Sequence, residues 1–111
     1  KIKFTSFEVC HGQISSTAYV FDKVAYISDC NKIYSKDYKK LTGLKYLIID
    51  CLKFAYHPSH FNLESALNVC KKINAKKTIL TNLHTDLDYN FLKKSLPANI
   101  IPAFDGMRLK V

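Results

Sequence analysis

Hydrophobic and polar positions alternate along the chain in short blocks, each bounded by residues that end regular structure. In positions 1–10, Ile2, Phe4, Phe7 and Val9 make a β-prone stretch, and positions 17–21 and 24–28 are β-prone as well. Asp22-Lys23, between the latter two, is a two-residue connection suited to a tight hairpin. Positions 34–41 have amphipathic spacing and stop before Gly43, which predicts a short helix. In positions 44–52 the run Tyr46-Leu47-Ile48-Ile49 lacks alternation, so that strand is expected to be covered on both faces.

The clearest helix spans positions 63–74. Leu63, Ala66, Leu67, Cys70 and Ile73 recur on one face, lysines gather at the C-terminal end, and Asn62 is the natural N-cap. Positions 78–83 read as a second buried strand and 89–96 as a short helix ended by Pro97. Positions 100–104 and 107–111 read as a closing hairpin around Asp105-Gly106. Strands alternating with helices after an antiparallel start predict one α/β (α+β) domain over residues 1–111, a mixed sheet with helices on at least one face.

With 48% hydrophobic and 23% charged residues, the chain is neither disordered nor of low complexity. No apolar run reaches the ~18 residues a membrane-spanning helix needs. The net charge of +8 invites a phosphate-bearing or nucleic-acid partner. All but one of the cations are lysines, however, and base-edge readout favours arginine, so biased codon usage is the better account of the charge. Cys10, Cys30, Cys51 and Cys70 lie in or beside apolar segments and form no Cys-x-x-Cys pair. They are expected to be buried free thiols, which places the protein in a reducing, cytoplasmic compartment. The chain begins with Lys1 rather than Met, as a piece of a longer polypeptide would.

Strand ends are where α/β proteins place their chemistry, and four of them here carry His or Asp. His11 follows the first strand, Asp29 ends Ile27-Ser28-Asp29, His60 precedes the Asn62 helix start, and His84 follows the strand at 78–83. Imidazole and carboxylate are ligands for zinc, iron and manganese. Each residue alone also fits a simpler role. A single strand-end histidine is more often a surface or hydrogen-bonded residue, and Ser28-Asp29 has the composition of an Asx turn. His57 precedes Pro58 in a loop and is expected to support the structure. Asp50 is as well suited to orienting a neighbouring histidine as to binding metal.

Taken in order, His11-Gly12, Val24-Ala25-Tyr26-Ile27-Ser28-Asp29, Leu47-Ile48-Ile49-Asp50-Cys51, His57-Pro58-Ser59-His60-Phe61-Asn62, Leu80-Thr81-Asn82-Leu83-His84-Thr85-Asp86-Leu87-Asp88-Tyr89 and Ala103-Phe104-Asp105-Gly106 resemble the C-terminal half of the metallo-β-lactamase-fold hydrolases. The closest branch is the one that holds the phosphoribosyl cyclic phosphodiesterases and, further off, the tRNA 3′-processing endonucleases. The resemblance implies half of a four-layer αββα sandwich. It also implies a phosphodiesterase-type hydrolase with two divalent metal ions, zinc foremost and manganese or iron as alternatives, and a metal-held hydroxide as nucleophile. Position by position, His11 matches a metal-ligand histidine and Asp29 a carboxylate that bridges the metals. His60 matches the histidine that assists the leaving group. The last ligand falls to His84 or Asn82; relatives show Thr-His at positions 81–82, and His84 is preferred because imidazole holds zinc better than an amide. Asp50 and His57 are left as supporting residues or alternative ligands.

The family's His-x-His-x-Asp-His run is absent from these residues. The chain is therefore expected to supply part of a site, with the N-terminal half of the fold, or self-association, covering its inner sheet face. Two other readings are a degenerate fragment without catalysis and a small basic nucleic-acid-binding module.

Overall fold

The computed structural model describes residues 2–111; Lys1, the start of the first predicted strand, lies outside them. Six strands form one mixed sheet in sequence order: β1 (Phe4–His11), β2 (Ile14–Phe21), β3 (Val24–Ile27), β4 (Tyr46–Asp50), β5 (Lys77–Thr81) and β6 (Ile100–Pro102). The first three pair antiparallel, and β3 to β6 pair parallel. Because β1 runs in the same direction as β3, the C-terminal ends of β1, β3, β4, β5 and β6 share one sheet edge.

Alternation in each strand gives the sheet two unlike faces. Phe7, Val9, Ala18, Ala25, Ile27, Leu47, Ile49, Leu80 and Ile100 point to one side and form the core. Helix α1 (Leu63–Ile73), helix α2 (Tyr89–Ser95) and a 3₁₀ segment (Ser35–Leu41) complete it with Leu41, Ala66, Cys70, Ile73 and Leu92. On the other face the register lines up Tyr19, Tyr26, Ile48, Ile79 and Ile101 across five strands. That face is open at the β1–β3 end, where Phe4, Tyr19 and Tyr26 are 63%, 43% and 41% exposed.

Helix α1 starts where the sequence analysis places it. Asn62 accepts from the Ser65 amide (2.9 Å), the Ser65 hydroxyl accepts from the Asn62 amide (3.0 Å), and Asn74 ends the helix in the left-handed region at φ 55°. Other boundaries differ. β2 begins at Ile14 rather than Thr17, so that Gly12-Gln13 makes a first tight turn with Gly12 at φ +65°. The segment predicted as a helix over 34–41 is a 3₁₀ turn series without a side-chain N-cap.

The closing hairpin does not form. The turn at Asp105-Gly106 is present, with the Met107 amide on the Phe104 carbonyl (3.0 Å), but the chain after it does not return along β6, the last strand of the sheet. Residues 107–111 form no strand, and the Lys45 ammonium and Tyr46 hydroxyl hold the Lys110 carbonyl instead (3.0 and 3.1 Å). Leu47, Ile49, Thr78 and Leu80 lie on the covered side.

Candidate metal centre

The shared C-terminal edge of the sheet brings His11, at the end of β1, next to Asp29, two residues past β3, and His60, in the loop between β4 and α1. One nitrogen or oxygen of each lies within 4.8 Å of the others, and all three residues are half-buried; among the described residues this is the one such group. The rings of His11 and His60 meet edge to face, with centroids 4.9 Å apart.

Hydrogen bonds set the tautomer of both imidazoles. His11 Nδ1 is 2.7 Å from the Ser59 carbonyl, which can only accept, so Nδ1 carries the proton and Nε2 keeps its lone pair. His60 Nδ1 lies 2.8 Å from Asp50 Oδ2 and donates to that carboxylate, which again leaves Nε2 free. Two imidazole nitrogens and a carboxylate oxygen make a borderline donor set suited to a divalent first-row ion. The ring nitrogen that does not bind is anchored in each case, as metal-binding histidines require.

Asp50 is fully buried at the end of β4, as a residue that orients a histidine must be. Its Oδ2 also accepts from the Phe61 amide (3.2 Å) and the Cys30 amide (3.4 Å), and its Oδ1 from the Asn82 side chain (2.8 Å). Burial pushes its carboxyl above the usual carboxylate range, against the opposing pull of Asn82 and His60. His57 stands outside the three-residue group. Its ring is 5.1 Å from that of His60, its Nδ1 accepts from the Ser59 amide (3.2 Å), and desolvation with help from neighbouring His60 and Lys53 lowers its pKa.

His84, the preferred last ligand, is not in the group. Its side chain is 57% exposed and turns to Asp86 (3.3 Å), while its amide bonds to the Leu52 carbonyl. Asn82, the alternative, points its amide at Asp50. At the start of α1 most backbone amides are already used: the Asn62 amide bonds to Ser65 Oγ, Leu63 to the Lys53 carbonyl and Ser65 to Asn62 Oδ1. Two contributors have no sequence signal. The Ser59 carbonyl fixes His11, and Asn31 Oδ1 accepts from the Gly12 amide (2.9 Å) to hold the turn after it.

The fold recurs in a solved structure. The chain superposes on the crystal structure of a new diphosphatase from the PhnP family with a TM-score of 0.96 and 33% identity, over 99% of this chain and 44% of that one. The chain has a half metallo-β-lactamase fold. The short form of human tRNase Z (ELAC1) shares this half fold more distantly, with a TM-score of 0.70 and 18% identity over 96% of this chain and 42% of the other. An octanoyltransferase of Porphyromonas gingivalis is 26% identical over 102 residues, 89% of this chain and 20% of that protein. The half fold thus spans less than half the length of each of these three proteins. No family model matches the chain.

Proposed function

We propose that this half metallo-β-lactamase fold supplies part of the site of a metal-dependent phosphoester hydrolase, phosphodiesterase in type, completed by a second half that packs on the open sheet face. The observation that carries the reading is the convergence of His11, Asp29 and His60 within 4.8 Å. The edge on which they meet matches a diphosphatase structure. Divalent ions, zinc foremost, would supply a nucleophile from water at neutral pH and polarise the phosphoryl group. His11, through the Nε2 that the Ser59 carbonyl leaves free, and Asp29, through its carboxylate, would hold such ions. His60, with Nδ1 tied to Asp50, presents Nε2 either to an ion or to the oxygen that departs from phosphorus. The exposed Phe4, Tyr19 and Tyr26 mark the face on which the second half, or a second copy, would pack.

The test uses the complete polypeptide that contains this chain, with zinc content and turnover of a nitrophenyl and an alkyl phosphodiester as readouts. Asp29→Ala is expected to lose metal and activity together, and His11→Ala likewise. His60→Ala separates that residue's two roles: intact metal with a greater loss on the alkyl ester means a proton donor, whereas loss of metal means a ligand. Full metal content and near-normal turnover in Asp29→Ala would sink the proposal.

A further inference from the structure

Asn82 follows β5 at φ 63°, a left-handed backbone conformation uncommon for residues other than glycine, asparagine and aspartate. From that position its carboxamide reaches across the ends of two other strands. Nδ2 donates to Asp50 Oδ1 at the end of β4 (2.8 Å) and to the carbonyl of Ser28 just past β3 (2.5 Å). Both partners are acceptors, so the amide cannot be flipped: its nitrogen, not its oxygen, must face them. Ser28 directly precedes Asp29. The other oxygen of Asp50 holds His60 Nδ1. One side chain therefore links the segment that carries Asp29 to the carboxylate that orients His60, and it does so from a third strand.

We infer that Asn82 is a positioning residue of the candidate metal centre: by pinning Asp50 Oδ1 and the Ser28 carbonyl together, it fixes the plane of the Asp50 carboxylate and hence the tautomer and direction of His60. Its relevance to metal rests on the function proposed above, but its effect on His60 does not. With Oδ1 released, the carboxylate is held at Oδ2 alone, by His60 and the Phe61 and Cys30 amides, and its plane is less firmly fixed. Its bond to His60 Nδ1 would loosen, and the ring would sample the tautomer that blocks Nε2. His11 takes its tautomer from the Ser59 carbonyl and has no hydrogen bond to Asn82 or Asp50, so its tautomer is the internal control.

The experiment compares the full chain with Asn82→Gly and Asn82→Asp. Glycine adopts the same backbone conformation and deletes only the amide; aspartate keeps the shape but turns two donors into acceptors that face acceptors. Long-range 15N–1H NMR reads the tautomers of His60 and His11, and chelator competition reads the affinity for zinc alone. In the parent chain His60 is expected as a single Nδ1–H form. In Asn82→Gly it becomes a mixture while His11 is unchanged; zinc affinity falls about tenfold if His60 is a ligand, the low end of what losing a partner of a ligating histidine does, and holds if His60 is the proton donor. Asn82→Asp loses at least as much. An unaltered His60 tautomer in both variants overturns the inference, as does an equal change at His11, which would mean general loosening. A His60-specific change in a chain that binds no zinc would uphold the positioning role and count against the metal centre.

Discussion

Gly12 is the position at which a single methyl group should do most harm for its size. Three glycines have positive φ: Gly12 at +65°, Gly43 at +66° and Gly106 at +85°. A left-handed alanine costs about 1–2 kcal/mol, and the lost freedom of the unfolded glycine returns about 0.4–1, so backbone strain alone predicts a net loss of roughly 1 kcal/mol at each. Around Gly43 and Gly106 an added Cβ meets nothing within 4 Å, and strain is the whole effect. At Gly12 it would lie 3.0 Å from Ser59 Cβ and 3.6 Å from Ser59 Cα. Ser59 cannot simply yield, because its carbonyl holds His11 Nδ1 and its amide bonds to His57 Nδ1. Overpacking of this kind adds about 1–3 kcal/mol, so Gly12→Ala should cost roughly 2–4 kcal/mol in all. Urea unfolding at constant slope measures the three variants side by side. Equal costs at Gly12 and Gly43 would show that the Ser59 loop is not held against the β1–β2 turn, and the anchoring of His11 would fall with it.

Asp50→Asn is expected to destabilise by roughly 2–3 kcal/mol, since an amide at that site leaves a donor facing the Asn82 amide or His60 in a fully buried setting; a urea midpoint within 0.5 kcal/mol of the parent, on the scale of about 1 kcal/mol per hydrogen bond, would contradict the network. The buried thiols predict both reactivity and pH dependence. In the native chain Cys10, partly exposed, should react with an aromatic disulfide reagent while Cys30, Cys51 and Cys70 stay protected. Burial pushes Cys30 and Cys51 up to about 12 and Cys70 to about 11 from an ordinary 9.0. Because these folded-state values are raised, their stabilisation is complete below pH 9 and is lost as pH climbs toward 11–12, at up to about 1.4 kcal/mol per unit for each thiol. A urea midpoint that stays flat from about pH 8 to 10.5 would mean the thiols are not buried.

Local signals were legible wherever one segment carries its own explanation. The stripe of Leu63, Ala66, Cys70 and Ile73 with Asn62 ahead of it marks the start of α1, which ends at Ile73, one residue before the predicted 74. Asp22-Lys23 marks a hairpin that forms, with Asp22 at φ 50°. Asp105-Gly106 marks a turn just as well, yet no hairpin follows, because the segment after it is held by distant Lys45 and Tyr46 rather than on β6, contacts that leave no local trace. The start of β2 was missed because Ser15 and Ser16 are polar, and pairing with Cys10 and Val9, not their own preference, makes them strand. At the site, His60, ahead of a helix start, and His84, past a strand end, are both candidates in sequence. What separates them is that Asp50 captures His60, a tertiary fact with no local trace, while His84 turns outward to Asp86.

The order of the strands bears on how the chain reaches its fold. Every neighbour in the sheet is also the next strand in sequence, so no pairing waits for a distant segment to arrive. Loop closure grows only slowly with loop length, and each step here closes a single turn or one crossover. A growing chain could add β1 to β6 one at a time from the N-terminus, each new strand finding its template already in place. Such an order favours rapid folding for a sheet that is half parallel. It also sets when the site appears: His11 and Asp29 meet once the first two hairpins have formed, and His60 joins them only after β4 has docked and delivered Asp50.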